Sequence, residues 1–131
     1  MSITKYEVAF EPFTERHFIR TFLKKYKGAW DTTSSFLIEE FRFFDTLFGK
    51  SIAEIIFDSL NIKICKTEFK ISGTQESRHG SGNRCIVAIH KNTNKVCVLL
   101  VYNKRDLRGS NETVSWKNLV KENYPKYSNI L

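Results

Sequence analysis

Lys66, Glu68 and Lys70 alternate with Thr67 and Phe69, so on an extended chain the three charges share one face and Phe69 and Ile71 the other. Arg84 then opens an apolar run, RCIVAIH, and a second run, VCVLLVYN, ends abruptly in Lys104-Arg105-Asp106. Between Ile71 and Arg84 lies SGTQESRHGSGN, residues 72–83, a Gly-rich polar loop carrying Arg78 and His79. If that loop closes an antiparallel hairpin symmetrically, Lys70 pairs with Arg84. If the turn at 92–94 closes the next, Arg84 pairs with Tyr102. Lys70, Arg84 and Tyr102 then form a row across three strands. Like charges placed opposite one another weaken a sheet by roughly 0.2–1 kcal/mol. An anion bound between them removes that penalty, with Lys104 and Arg105 completing the pocket. Glu68 on the same face supplies a competing, purely structural counter-ion, and a one-residue slip would move every side chain to the other face.

The elements around these residues follow from periodicity. Tyr6-Glu7-Val8-Ala9-Phe10 alternates and predicts a short strand closed by Pro12. Thr14 caps a helix with Phe18, Phe22 and Tyr26 on one face, ended by Gly28. A second helix starts after Thr32-Thr33 or Ser34-Ser35, with Leu37, Phe41, Phe44 and Phe48 as its stripe and Gly49 as its stop. Ser51 opens a third, shorter helix through Leu60 that buries Ile52, Ile55 and Ile56. These aromatic and aliphatic stripes are core packing. From Ile62 the period becomes two, with a change of phase between Ile64 and Cys65 that suits a β-bulge. Residues 84–91 and 95–102 are apolar nearly throughout, as expected of central strands covered on both faces. A final amphipathic segment holds Trp116, Leu119 and Val120. Pro125 ends it and leaves Tyr124 and Tyr127 in an irregular tail. The sum is an α+β fold: an N-terminal strand and helical hairpin packed on a small, twisted, mainly antiparallel sheet, with a short C-terminal helix.

Length and charge bound the function. The 131 residues predict one domain, 1–131, with a single core. Residues 1–60 hold 8 Lys+Arg and 9 Asp+Glu, a net of −1, whereas residues 61–131 hold 13 and 5, a net of +8. A basic half of this kind suits a polyanion (nucleic acid, acidic protein or anionic lipid) or is simply a solvated surface. No apolar run of membrane-spanning length occurs. MSITKYEVAFEP lacks the basic start and apolar stretch of a signal peptide. Cys65, Cys85 and Cys97 lie in apolar strands without C-x-x-C spacing, which predicts reduced core thiols in a cytoplasmic protein. His17, His79 and His90 are scattered and form no metal-ligand pattern.

The pattern KTEFKISG…GNRCIVAI…VCVLLVYNKRDL, with this order of elements, resembles the RelE/ParE superfamily of bacterial toxins from toxin–antitoxin pairs. The resemblance covers residues 61–107 and, in layout, the first strand and helices. It implies one of two activities: mRNA cleavage on the ribosome, as in RelE-like members, or non-enzymatic inhibition of DNA gyrase, as in ParE-like ones. It further implies a cognate antitoxin with an acidic neutralising segment, expected to lie across the +8 half and cover Arg84. No cofactor is implied. In a RelE-like site the strand lysine is Lys66 or Lys70, the arginine on the scissile phosphate is Arg84, and the basic residue past the last strand is Lys104 or Arg105. The aromatic acid that RelE-like members place shortly afterwards is missing from DLRGSNETVS, which leaves Tyr102, His79 and Tyr124 as substitutes.

These residue types suit metal-free RNA cleavage. The ribose 2′-hydroxyl attacks its own 3′-phosphate, which needs a base, cations against the developing charge and an acid for the leaving 5′-oxygen. Glu68, or a lysine crowded by Lys66, Lys70 and Arg84, serves as base. Arg84 and Arg105 hold the phosphate. Arg78, His79, Tyr102 and Lys104 are expected RNA contacts, and His79 is also a candidate acid. Two alternatives stay open: Arg84 as a cross-strand partner of Glu68, and a plain RNA-binding module that cleaves nothing.

Overall fold

The computed structural model describes residues 3–107 and 111–131. The chain runs β1 (Glu7–Phe10), α1 (Pro12–Thr14), a π-helical turn (Glu15–Ile19), α2 (Arg20–Tyr26), α3 (Gly28–Arg42), α4 (Asp45–Gly49), β2 (Ala53–Asp58) and β3 (Ile62–Phe69). It continues through α5 (Arg78–Ser81), β4 (Asn83–His90), β5 (Lys95–Asn103), a 3-10 turn (Lys104–Asp106), α6 (Glu112–Asn123) and a 3-10 segment (Pro125–Ile130). The strands form one sheet in the order β1-β5-β4-β3-β2, with β1 parallel to β5 and all other pairs antiparallel. This is the expected α+β arrangement.

The sheet is covered on both sides, which explains the near-continuous apolar runs of β4 and β5. Cys85, Val87, Val96 and Val98 pack against Phe22, Trp30, Leu37 and Phe41 of the helical hairpin. Ile86, Ala88, Leu99 and Leu100 pack against Trp116 and Val120 of α6 and against Tyr124 and Tyr127 behind it. The tail is therefore ordered core: the buried Tyr124 hydroxyl donates to the Leu99 carbonyl at 2.7 Å, and Tyr127 pairs with His90 Nε2 at 2.8 Å. Burial is also what pushes the hydroxyl pKa of both tyrosines up. Thr14 fixes the start of the hairpin by accepting from the Val101 amide at 3.0 Å.

Four expectations fail. The second helix starts at Gly28, ahead of Thr32, and breaks at Phe43 (φ −118°) into α3 and α4 instead of running unbroken to Gly49. The third helix, Ser51 to Leu60, is the edge strand β2, paired antiparallel with β3. Ile55-Ile56-Phe57 is too short for periodicity to separate helix from strand. Pairing with β3 settles it, and Ser51, at φ 56°, makes the turn. Gly28 does not end a helix. The break falls at Lys27, φ 49°, and Gly28 begins α3 instead. The bulge expected in β3 is absent from its pairing with β4, which is continuous from Ile62↔His90 to Phe69↔Asn83. Ile64 and Cys65 are both buried because each side of the sheet is covered. The register shifts lie on the neighbours, at Ile55/Phe57 of β2 and where β5 passes from Leu100 to Val98. Among the described residues no helix is long and apolar enough to cross a membrane.

Candidate functional site

β4 aligns Arg84 with Glu68 on one side and Tyr102 on the other. The Tyr102 pairing is the expected one, but Glu68, not Lys70, faces Arg84. The 72–83 connection is not a symmetric loop: it contains the helical turn α5, started by Ser77, whose hydroxyl accepts from the Gly80 amide at 2.9 Å. Gly82 ends it at φ 78°, and a side chain there would meet Asn103 and Lys104 at 3.3 Å. With residues consumed by α5, β3 stops at Phe69. Lys70 lies beyond it, exposed, lining a cleft with Phe36, Leu37 and Arg78 on the hairpin side. The proposed row of two cations is thus an Arg84–Glu68 ion pair, Nη1 to Oε2 at 3.6 Å.

Arg84 is 3% exposed. Its Nη1 also donates to the Asn83 carbonyl at 3.1 Å and its Nη2 to the His79 carbonyl at 3.2 Å. Three protein oxygens hold this buried guanidinium, so it sits behind the surface rather than open to a phosphate. In front of it, Glu68 reaches His79 Nδ1 at 2.9 Å. A carboxylate only accepts, so Nδ1 carries the hydrogen and Nε2 the free lone pair when the ring is neutral. The His79 side chain is 82% exposed. The arrangement is an exposed imidazole oriented by a carboxylate, which a buried arginine in turn anchors.

Lys66, one inward step along β3 from Glu68, contacts Glu112 at 3.1 Å. The Tyr102 hydroxyl donates to the same Glu112 oxygen at 2.7 Å. Burial, reinforced by Glu112, pushes the Tyr102 hydroxyl far up, so it stays protonated and cannot serve as a base. Burial alone would raise Glu112, but the hydrogen bonds from Tyr102 and Lys66 outweigh it and hold the carboxyl below its ordinary value. Glu112 was not legible as a site residue; its one sequence signal is helix initiation, since Asn111 caps α6 through the Val114 amide at 3.1 Å.

The remaining basic residues separate. Arg78 is engaged within the chain: its two guanidinium nitrogens hold Glu40 of α3 at 3.1 and 2.6 Å and so moor α5 to the hairpin. Lys104 is exposed beside Gly82, its amide bonded to the Gly82 carbonyl at 2.8 Å, and so flanks α5. Arg105 lines a cleft with Lys25 and Tyr26 on the hairpin side, away from Arg84. Among the described residues no cluster of His, Cys, Asp or Glu is set to hold a metal. The three cysteines are buried and unbridged, and burial raises the Cys65 thiol to about 12.

The sequence matches no family model, and no curated protein matches it significantly. Its structure is similar to a chain of the archaeal RelE–RelB complex from Pyrococcus horikoshii OT3 at a TM-score of 0.51, with 9% identity, over 76% of this chain and 94% of that one. The chain therefore has a RelE-like fold.

Proposed function

We propose that this chain is the toxin of a toxin–antitoxin pair and acts as a metal-free endoribonuclease. The observation that carries the enzyme reading is the exposed His79 held by Glu68 at 2.9 Å. The fold likeness, in which the neighbour is a RelE–RelB complex, supports the toxin reading. In this scheme neutral His79 takes the proton of a ribose 2′-hydroxyl through Nε2. The 2′-oxygen attacks the adjacent phosphorus, and the imidazolium returns the proton to the departing 5′-oxygen. The products are a 2′,3′-cyclic phosphate and a free 5′-hydroxyl. Glu68 fixes the ring, while Lys104 meets the phosphate. Arg84 positions this pair without touching the phosphate. The target is mRNA, engaged on the ribosome, and the antitoxin's acidic segment covers the basic half around Glu68 and His79.

The test is to induce expression and map RNA 3′ ends. Cyclic-phosphate ends that disappear in His79→Ala support the enzyme; arrested growth with intact mRNA removes it. One observation favours a second reading. Because Arg84 is 3% exposed, the arginine that resemblance assigns to the phosphate is sequestered. That suits a ParE-like toxin that inhibits gyrase by docking, and induction would then raise DNA-damage signalling with no RNA ends. Absence of any growth effect leaves a plain RNA-binding module.

A further inference from the structure

On the hairpin side of the sheet, at the end opposite the 92–94 turn, lies a polar cleft of about 90 Å³ walled by Lys25, Tyr26, Ser81, Asn83, Asn103 and Arg105. Its floor is a closed amide network. Asn103 Nδ2 donates to the Ser81 carbonyl at 3.0 Å and to Asn83 Oδ1 at 2.9 Å, and Asn103 Oδ1 accepts from the Arg105 amide at 3.0 Å. Both asparagine oxygens are thereby occupied. The side-chain amide nitrogen of Asn83, Nδ2, hydrogen-bonds no other described residue and reaches the solvent of the cleft. Acceptors are spent inside the network and a donor is left over.

The walls add two cations and one carboxylate, a net positive charge. Lys25 and Arg105 are exposed and neither has a described carboxylate within 4.0 Å, although Glu76 also lines the cleft. Lys25 Nζ lies 5.3 Å from the centroid of the Tyr26 ring, itself half-buried beside the opening. Two cations, a spare amide donor and an aromatic face are the groups that track a single strand, with cations on the backbone and a ring under a base. Lys104 and Arg105 are consecutive in the turn that closes β5, the first beside α5 and the second in this cleft. A strand crossing the sheet end would meet one cation on each side.

We propose that this cleft binds a phosphodiester of an RNA strand, away from the bond at His79, with Lys25, Arg105 and the Asn83 amide on the phosphate and Tyr26 stacked on the neighbouring base. The proposal rests on the RNA-targeting reading but not on cleavage.

The experiment measures binding of a 2′-O-methyl RNA oligonucleotide, which cannot be cleaved, by fluorescence anisotropy across a salt series. Lys25→Ala with Arg105→Ala is expected to weaken binding about tenfold or more and to lower the salt slope by about 0.7, one phosphate on a single strand. Tyr26→Ala is expected to weaken binding at least fivefold with the slope unchanged, as stacking loss requires. Arg20→Ala with Lys24→Ala, an equal charge change on the same helical arm outside this cleft, is the control. The proposal is overturned if the control loses as much as the Lys25/Arg105 pair, if that pair keeps the wild-type slope, or if the wild type does not bind. It is equally overturned if the pair binds RNA normally but loses an Asp/Glu-rich peptide, which would make the cleft a carboxylate site. Failure of the cleavage scheme shows instead in the RNA ends and leaves these binding results standing.

Discussion

Glu68 stands between a buried and an exposed partner: Arg84 Nη1 at 3.6 Å behind it and His79 Nδ1 at 2.9 Å in front. The carboxylate transmits the position of a rigid strand to a side chain on the short turn α5. The hydrogen bond from Arg84 Nη2 to the His79 carbonyl secures the turn's backbone as well.

Removing the imidazole should therefore separate activity from stability. His79→Ala is expected to lower RNA cleavage by about 10²- to 10⁴-fold, the range for a lost acid–base group. The exposed ring contributes little to folding, and stability should change by less than about 0.5 kcal/mol. Single-turnover cleavage beside a urea melt checks both. Glu68→Gln should retain part of the activity, since an amide still orients the ring.

Arg84→Ala should behave in the opposite manner. It strands Glu68 and leaves the carbonyls of Asn83 and His79 without their donor. Breaking a buried pair costs about 3–5 kcal/mol. Glu68 remains partly in water, so the expected loss falls below that range, about 2–3 kcal/mol. A denaturant melt in which Arg84→Ala matches the wild type would overturn the anchoring role. The open-phosphate arrangement predicts little or no loss of stability.

Lys70→Ala should be silent. Lys70 lies past the end of β3, exposed and off the Glu68–Arg84–Tyr102 row. Cleavage is expected within about twofold of wild type and stability within about 0.5 kcal/mol. A Lys70 variant with cleavage reduced more than tenfold would restore it to the site.

Two groups should leave marks on the pH dependence of folding. Glu112 sits below its ordinary value in the folded chain, so its contribution is present above the unfolded glutamate pKa and is lost as pH falls through the folded one. Glu112→Gln should flatten the acid limb of the stability curve below about pH 4.5. His90 is also depressed, by burial and then by Lys126 and Lys95, so the folded state resists its protonation. Stability should be full above about 6.5 and decline below it, and His90→Gln should remove that step. Urea melts from pH 3 to 8 measure both; an unchanged acid limb in Glu112→Gln would contradict its pairing with Lys66 and Tyr102.

The sequence by itself determined the strands β3 to β5, the turn at 92–94, the helical hairpin and the apolar stripe of α6. In each, side-chain period and turn residues act locally and agree with one another. Arg84 does face Tyr102 as the sequence suggested, but a bulge decides it: the turn sets His90 opposite Lys95, and only the extra residue Leu99 moves Arg84 from Val101 to Tyr102. What the sequence could not decide was which residue faces Arg84 from β3, since that depends on how many residues the 72–83 connection folds into α5. Ser77, Gly82 and the Arg78–Glu40 bond set that number, and two of these act through residues distant in sequence. The edge strand β2 was likewise beyond local reading, because Ile55-Ile56-Phe57 fits either period until β3 offers it an unpaired edge. A slip of two residues, from Lys70 to Glu68, turned an expected repulsion into an ion pair and moved the candidate chemistry from Arg84 to His79. Tertiary pairing decides such slips because every side chain on the strand shifts with the backbone hydrogen bonds.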